Sequence, residues 1–153
     1  MSKGQSLFEV VVAIAVAALV IVGVVIVATN SVRNSTFAKN TSQASIYSQQ
    51  TTEWLRNQRD TDIAAFVTNA TGVWCMPTLP DGQIWLSTEV YNTACKNGEV
   101  IPSTSFTREV TFSTSTVGTA KNIITASVSI RWTDSQGVHE VKSATNFADW
   151  RQR

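Results

Sequence analysis

One acidic side chain stands directly before a long apolar segment, and its chemistry requires a partner. Glu9 precedes residues 10–28, nineteen residues without a polar side chain, and Leu7 and Phe8 lie on its other side. An ionised acid at the middle of a membrane costs about 2.5–3.5 kcal/mol on insertion scales, and less near an edge. A segment that served only as an anchor would lack this acid. Glu9 is therefore predicted to meet a positive charge on a neighbouring protein.

Two cysteines are the next residues whose side chains could react, in this case with each other. Cys75 and Cys95 are twenty residues apart, within residues 72–102, a segment that also contains three prolines and three glycines. Outside a membrane, such a pair is predicted to form a disulfide, which would contribute on the order of 3 kcal/mol in the chain-entropy model. Two reduced thiols are the alternative. A disulfide would place everything after Ala28 in an oxidising, extracytoplasmic compartment.

The residues that could support catalysis are dispersed. His139 is the sole histidine and lies in a predicted strand, where a half-exposed side chain is commoner than a general base. Asp60 and Asp62 lie at a predicted helix end, where acids commonly serve as caps. One histidine, two cysteines predicted to be oxidised and scattered acids do not form a zinc site, and no phosphate-binding glycine loop is present. We therefore expect neither an enzyme nor a cofactor.

The composition sets broad limits. The 153 residues suffice for one modest domain, and the first third is committed to something other than a globular core. Twelve basic residues nearly balance eleven acidic ones. Such a balance gives no long-range attraction to nucleic acid or to anionic lipid, so no nucleic-acid partner is predicted.

The length of the apolar segment favours a membrane helix. Nineteen residues in a helix span about 28 Å, close to the roughly 30 Å hydrocarbon core of a bilayer. A secretory signal is the competing interpretation, because residues 26–28 offer a site for signal peptidase. Against it, an acid precedes the apolar core, and that core is longer than the usual 7–15 residues. A retained helix is the prediction.

The residues after the apolar segment continue the helical pattern. No proline occurs between Gln5 and Pro77, and residues 30–60 are amphipathic. One helix of about 55 residues is therefore predicted, ending near residues 59–62. Its predicted inner side carries Phe37, Ala44, Tyr47, Thr51, Trp54 and Leu55.

The last third of the chain has the alternation of strands. Residues 106–113 and 122–133 alternate apolar with polar side chains, and residues 138–147 are predicted as a return strand after a turn at 134–137. Three antiparallel strands with one apolar face could pack directly on the amphipathic helix. The fold class predicted is α+β. Residues 147–151 are expected to close an edge of the sheet.

The N-terminal residues resemble the type IV pilin and type II secretion pseudopilin family. A short hydrophilic leader with a lysine ends at Gly4, and Glu9 is the fifth residue after it, directly before the apolar segment. The resemblance implies cleavage by prepilin peptidase between Gly4 and Gln5. Gln5 stands where the family usually has an N-methylated phenylalanine or methionine, so methylation remains open.

The resemblance also implies an organisation and a location. It divides the chain into a leader (1–4), a membrane and filament-core helix (5–28), its amphipathic continuation (29–60) and a globular pilin head (61–153). The N-terminus would be cytoplasmic and the head extracytoplasmic, first in the inner membrane and then in a filament. The implied partners are prepilin peptidase, membrane lipid, an inner-membrane assembly platform and other pilin subunits.

The C-terminal residues carry a second resemblance. The pattern W-T-D…G…F-A-D-W-R, from Trp132 to Arg151, is similar to minor pilins of the PilV kind and to I-type pseudopilins. Major pilin, minor pilin and pseudopilin all remain open at this point. A different class also remains: a single-pass anchored binding or receptor domain in which Glu9 has no assembly role.

Overall fold

A computed structural model describes residues 3–79, 92–117 and 121–148 of the chain. In this described part, two helices precede four strands, and the fold is α+β. The elements are α1 (Lys3–Thr61), α2 (Ile63–Asn69), β1 (Val73–Cys75), β2 (Thr107–Val117), β3 (Lys121–Asp134) and β4 (Gly137–Ala148). By their contacts, the residues up to Asn40 and those from Thr41 onward form two separate units.

The first unit contains the apolar part of α1. From Leu7 to Lys39 every residue of the helix is exposed, the large apolar side chains included. By length and composition, α1 is able to cross a membrane. The prediction of a long apolar N-terminal helix is confirmed.

The second unit begins with the amphipathic part of α1. Its buried residues recur at intervals of three or four, the spacing that places side chains on one helix face. They are Ala44, Ser48, Thr51, Leu55 and Gln58. Phe37 was predicted on this inner side, but it lies in the first unit and is 46% exposed. Periodicity identifies a face of a helix, and only the tertiary structure decides where along the helix that face is covered.

A short second helix follows α1 without being predicted. α1 ends at Thr61, within the predicted interval, and α2 begins one residue after Asp62. The Asp62 carboxylate accepts hydrogen bonds from the backbone N–H groups of Ala64 and Ala65, each at 3.0 Å. Asp62 is therefore the N-cap of α2, which agrees with the capping role predicted for it.

The sheet is antiparallel and has the strand order β1-β2-β3-β4. The three predicted strands are confirmed, each somewhat longer than expected. β1 was missed because three residues are too few to show alternation. The turn predicted at residues 134–137 joins β3 to β4, and Gly137 has φ +121°, a conformation that side chains rarely adopt.

One face of the sheet packs on residues 41–61 of α1, the part of the helix that belongs to the second unit. Leu55 and Thr51 of the helix are fully buried, as are Val110 of β2 and Ile130 of β3. Aromatic rings close the two ends: Tyr47 contacts Phe106 at 5.5 Å between centroids. At the other end, the rings of Phe66, Phe112 and Phe147 meet.

The residues predicted to close the sheet edge are only partly described. Phe147 and Ala148 end β4, where Phe147 pairs with Ile124 of β3. The residues from Asp149 onward lie outside the described part of the chain.

The helix–sheet core makes a specific prediction about stability. Leu55→Ala should lower the free energy of unfolding by about 2–5 kcal/mol, because it removes a fully buried side chain from a packed core. Chemical denaturation of the two proteins measures the difference. Ile46→Ala is the matched control, since Ile46 is on the same helix and 48% exposed. Equal losses from both changes would contradict this account of the core.

Candidate functional site

The predicted processing residues lie at the start of α1. Gly4 and Gln5 are in its first turn, and their side chains are outside what the structure describes. Cleavage between them stays a prediction.

Glu9 lies on the exposed surface of α1. Leu7 and Phe8 beside it are each 71% exposed, and the residues that follow are apolar and exposed as well. Within residues 3–79, 92–117 and 121–148, no hydrogen bond or ion pair involves the Glu9 carboxylate. The acid therefore remains available to a group outside the chain. A cationic partner for it stays a prediction.

Cys75 and Cys95 are joined in a disulfide, as predicted. Cys75 ends β1 on the face of the sheet away from α1, opposite Glu109 of β2, and it is fully buried. The two Cα atoms are 4.8 Å apart. The backbone N–H of Cys95 donates to Oε2 of Glu109 at 3.1 Å. The bridge thus fastens the segment around Cys95 onto the outer face of the sheet.

A charged network that the sequence did not reveal adjoins this bridge at Glu109. Arg131 Nη2 lies 2.6 Å from Glu109 Oε1, and its Nε lies 3.9 Å from Glu140 Oε1. Ser129 donates to Glu140 at 2.5 Å. These residues come from three neighbouring strands, and they become neighbours only through the register of the sheet. The network stabilises the outer face around the disulfide.

The sole histidine contacts an acid and a tryptophan beside the β3–β4 turn. His139 Nε2 lies 2.9 Å from Asp134 Oδ1, and the imidazole stacks on Trp132 with 5.3 Å between centroids. The backbone N–H of Gln136 donates to the same carboxylate at 2.7 Å. That hydrogen bond, followed by the one with His139, lowers the pKa of Asp134. These contacts tie the β3–β4 turn together.

One cation lies inside the core. Arg108, on the face of β2 that packs on α1, is 4% exposed. Its Cζ lies 5.9 Å from the centroid of the Tyr47 ring. Burial lowers the pKa of Arg108 to about 10, so the guanidinium remains charged at neutral pH. The alternation of residues 106–113 placed Arg108 on the apolar face, but it gave no indication of how deeply the charge is buried.

Two open grooves lie on the described surface. One, of about 550 Å³, runs between α1 and β4 and is lined mainly by hydroxyl, amide and charged side chains. The other, of about 310 Å³, lies beside Cys95 and Arg131. Neither brings a histidine or a free thiol together with a carboxylate. The expectation of no enzymatic activity stays a prediction.

One group of potential metal ligands occurs in the described part of the chain. The ligand atoms of Cys75, Cys95 and Glu99 lie within 4.8 Å of one another. A metal binds the thiolate form of cysteine, and both sulfurs here are held in the disulfide. We therefore assign no metal to this group.

No family model, curated protein or solved structure matches this chain. The functional interpretation therefore depends on the residues themselves: the N-terminal motif around Gly4 and Glu9, the exposed apolar helix and the head closed by a disulfide.

The position of the disulfide leads to a testable expectation. Replacing Cys75 and Cys95 together by alanine should lower the free energy of unfolding by about 3 kcal/mol, since the bridge closes a loop of twenty residues. Denaturation of the wild type and the variant, with and without reductant, measures this. Reductant should reproduce the loss in the wild type and leave the variant unchanged. A variant as stable as the wild type would show that the bridge contributes nothing.

Proposed function

We propose that this chain is a structural subunit, a minor pilin or pseudopilin, of a type IV pilus or type II secretion-like filament. The leader is removed after Gly4, the chain waits in the cytoplasmic membrane, and it then enters the filament through its N-terminal helix. The observation that carries the proposal is an exposed acid, Glu9, at the start of an exposed apolar helix.

The composition of that helix supports an apolar environment. Twelve of the nineteen residues in 10–28 are valine or isoleucine. These β-branched residues are mediocre helix formers in water. In hydrocarbon, however, a helix satisfies its own backbone hydrogen bonds, so the helical form is strongly favoured. Lipid before assembly and neighbouring helices after assembly both provide such an environment.

The chemistry of assembly follows from the position of Glu9. Cleavage after Gly4 would create a free amine on Gln5, four residues before Glu9. Between packed apolar helices, the attraction between this amine and the carboxylate of the same or an adjacent subunit is much stronger than in water. A charge left unpaired there is costly, so the pair also fixes the axial register of neighbouring subunits.

The rest of the chain supports a head in an oxidising compartment. Residues 41–61 of α1 pack on a small antiparallel sheet. The disulfide fastens the segment around Cys95 to the outer face of that sheet. Disulfides persist outside the cytoplasm. A helix able to cross a membrane followed by such a head fits a subunit with a cytoplasmic N-terminus.

Processing can be tested by blocking the cleavage site. A chain carrying Gly4→Val should remain in the membrane at full precursor length, because the peptidase is expected to cut after glycine. Gel mobility of the membrane fraction distinguishes precursor from mature chain. Gly23→Ala is the control: a Cβ at Gly23 meets nothing within 4 Å, so this variant should be processed normally. If the wild type itself keeps its leader, an anchored binding domain becomes the better interpretation.

The role of Glu9 can be tested separately from processing. Glu9→Ala should be synthesised and cleaved, yet its incorporation into sheared filaments should fall at least about tenfold, since removing one partner of a buried ion pair costs about 3–5 kcal/mol. Quantitative immunoblotting of filament and membrane fractions measures this. The control is Glu53→Ala, an exposed acid further along α1. Normal incorporation of the Glu9 variant would remove the assembly role.

A further inference from the structure

The most deeply buried charge among the described residues is the guanidinium of Arg108. It lies on the core face of β2, opposite Ile130 and two residues from Val110. Neither Nε nor Nη1 has a hydrogen-bond partner, and no carboxylate pairs with the group in the described part of the chain. Its Cζ lies 5.9 Å from the centroid of the Tyr47 ring, a cation–π contact.

Two acids of the sheet, Glu109 and Asp134, are already engaged elsewhere. Glu109, the next residue along β2, points to the opposite face and pairs with Arg131. Asp134 holds His139 and the turn. Arg108 is thus the one buried cation of the described core, and no described acid serves it.

An unpaired buried cation is costly to keep. Burial removes water from the guanidinium, and a cation–π contact recovers only part of that loss. Phe106, Val110 and Phe112 share the same face of β2, so a leucine or methionine at position 108 would continue the pattern without cost. Packing within the described core therefore gives no reason for a charge at position 108. Its charge fits an interaction that arises only in a larger assembly.

We propose that Arg108 is the receptor for a carboxylate that a neighbouring subunit contributes when subunits assemble. The proposal rests on the filament function. Arginine binds a carboxylate through two parallel hydrogen bonds, which suits one fixed subunit arrangement. Tyr47, whose ring lies over the guanidinium, is only partly buried. The Tyr47 ring therefore separates the guanidinium from the surface. A shift of this ring would let the neighbouring subunit's carboxylate reach Arg108.

The first measurement concerns the unassembled subunit. Full-length Arg108→Met, extracted from membranes in detergent, should unfold at a higher denaturant concentration than the wild type, because an unpaired charge is replaced by an apolar side chain. Arg131→Met is the matched control. It removes a guanidinium that is paired with Glu109, so it should unfold at a lower concentration. If Arg108→Met is also less stable, Arg108 already stabilises the isolated subunit and the proposal is overturned.

The second measurement concerns assembly. Despite its higher stability, Arg108→Met should enter sheared filaments at least about tenfold less than the wild type, the loss expected when an ion pair at an interface is broken. Arg108→Lys should be intermediate, because lysine keeps the charge but lacks the bidentate fork. The wild type is examined first. Its absence from filaments contradicts the proposed function. Its presence, with Arg108→Met at the same level, overturns only the role of Arg108.

Discussion

A carboxylate that borders hydrocarbon needs a cation, and this constraint organises the interpretation of the whole chain. Glu9 is exposed on α1, no described residue pairs with it, and nineteen apolar residues follow it. A free amine four residues away would satisfy the acid where water cannot. The exposed apolar helix, the proposed leader ending at Gly4 and the disulfide-bonded unit are then parts of one arrangement. If Glu9 has no such partner, each of these three features needs a separate explanation.

The head depends on a second set of interactions. Leu55 and Thr51 of α1 pack over Val110 and Ile130 of the sheet, and this packing holds the helix against the sheet. On the opposite face, the disulfide and the Arg131 network fasten the segment around Cys95. Arg108 is the exception, since its charge lies in the core and none of the described acids pairs with it. Core packing and the disulfide hold this part of the chain together, whereas Glu9 and Arg108 are the residues that we propose to pair with other subunits.

The features that could be predicted are those with a local signal. An unbroken apolar run, a helical period and strict alternation identified α1 and β2–β4, and the spacing of Cys75 and Cys95 in a loop-rich segment indicated the bridge. The missed features depend on the tertiary structure. β1 is too short for a period, α2 begins directly after the cap Asp62, and Arg131 meets its acids only through strand register. Phe37 follows the helical period but lies in the first unit, where the helix surface is exposed.

The identity of the first residue in the mature chain tests the central claim most directly. Mass spectrometry of the N-terminal peptide, from wild-type protein purified out of membranes or filaments, reads it without any variant. The account predicts a chain that begins at Gln5, so that a free or methylated amine lies four residues from Glu9. A chain that begins at Thr29 would have lost both groups during export, and that result would contradict the account.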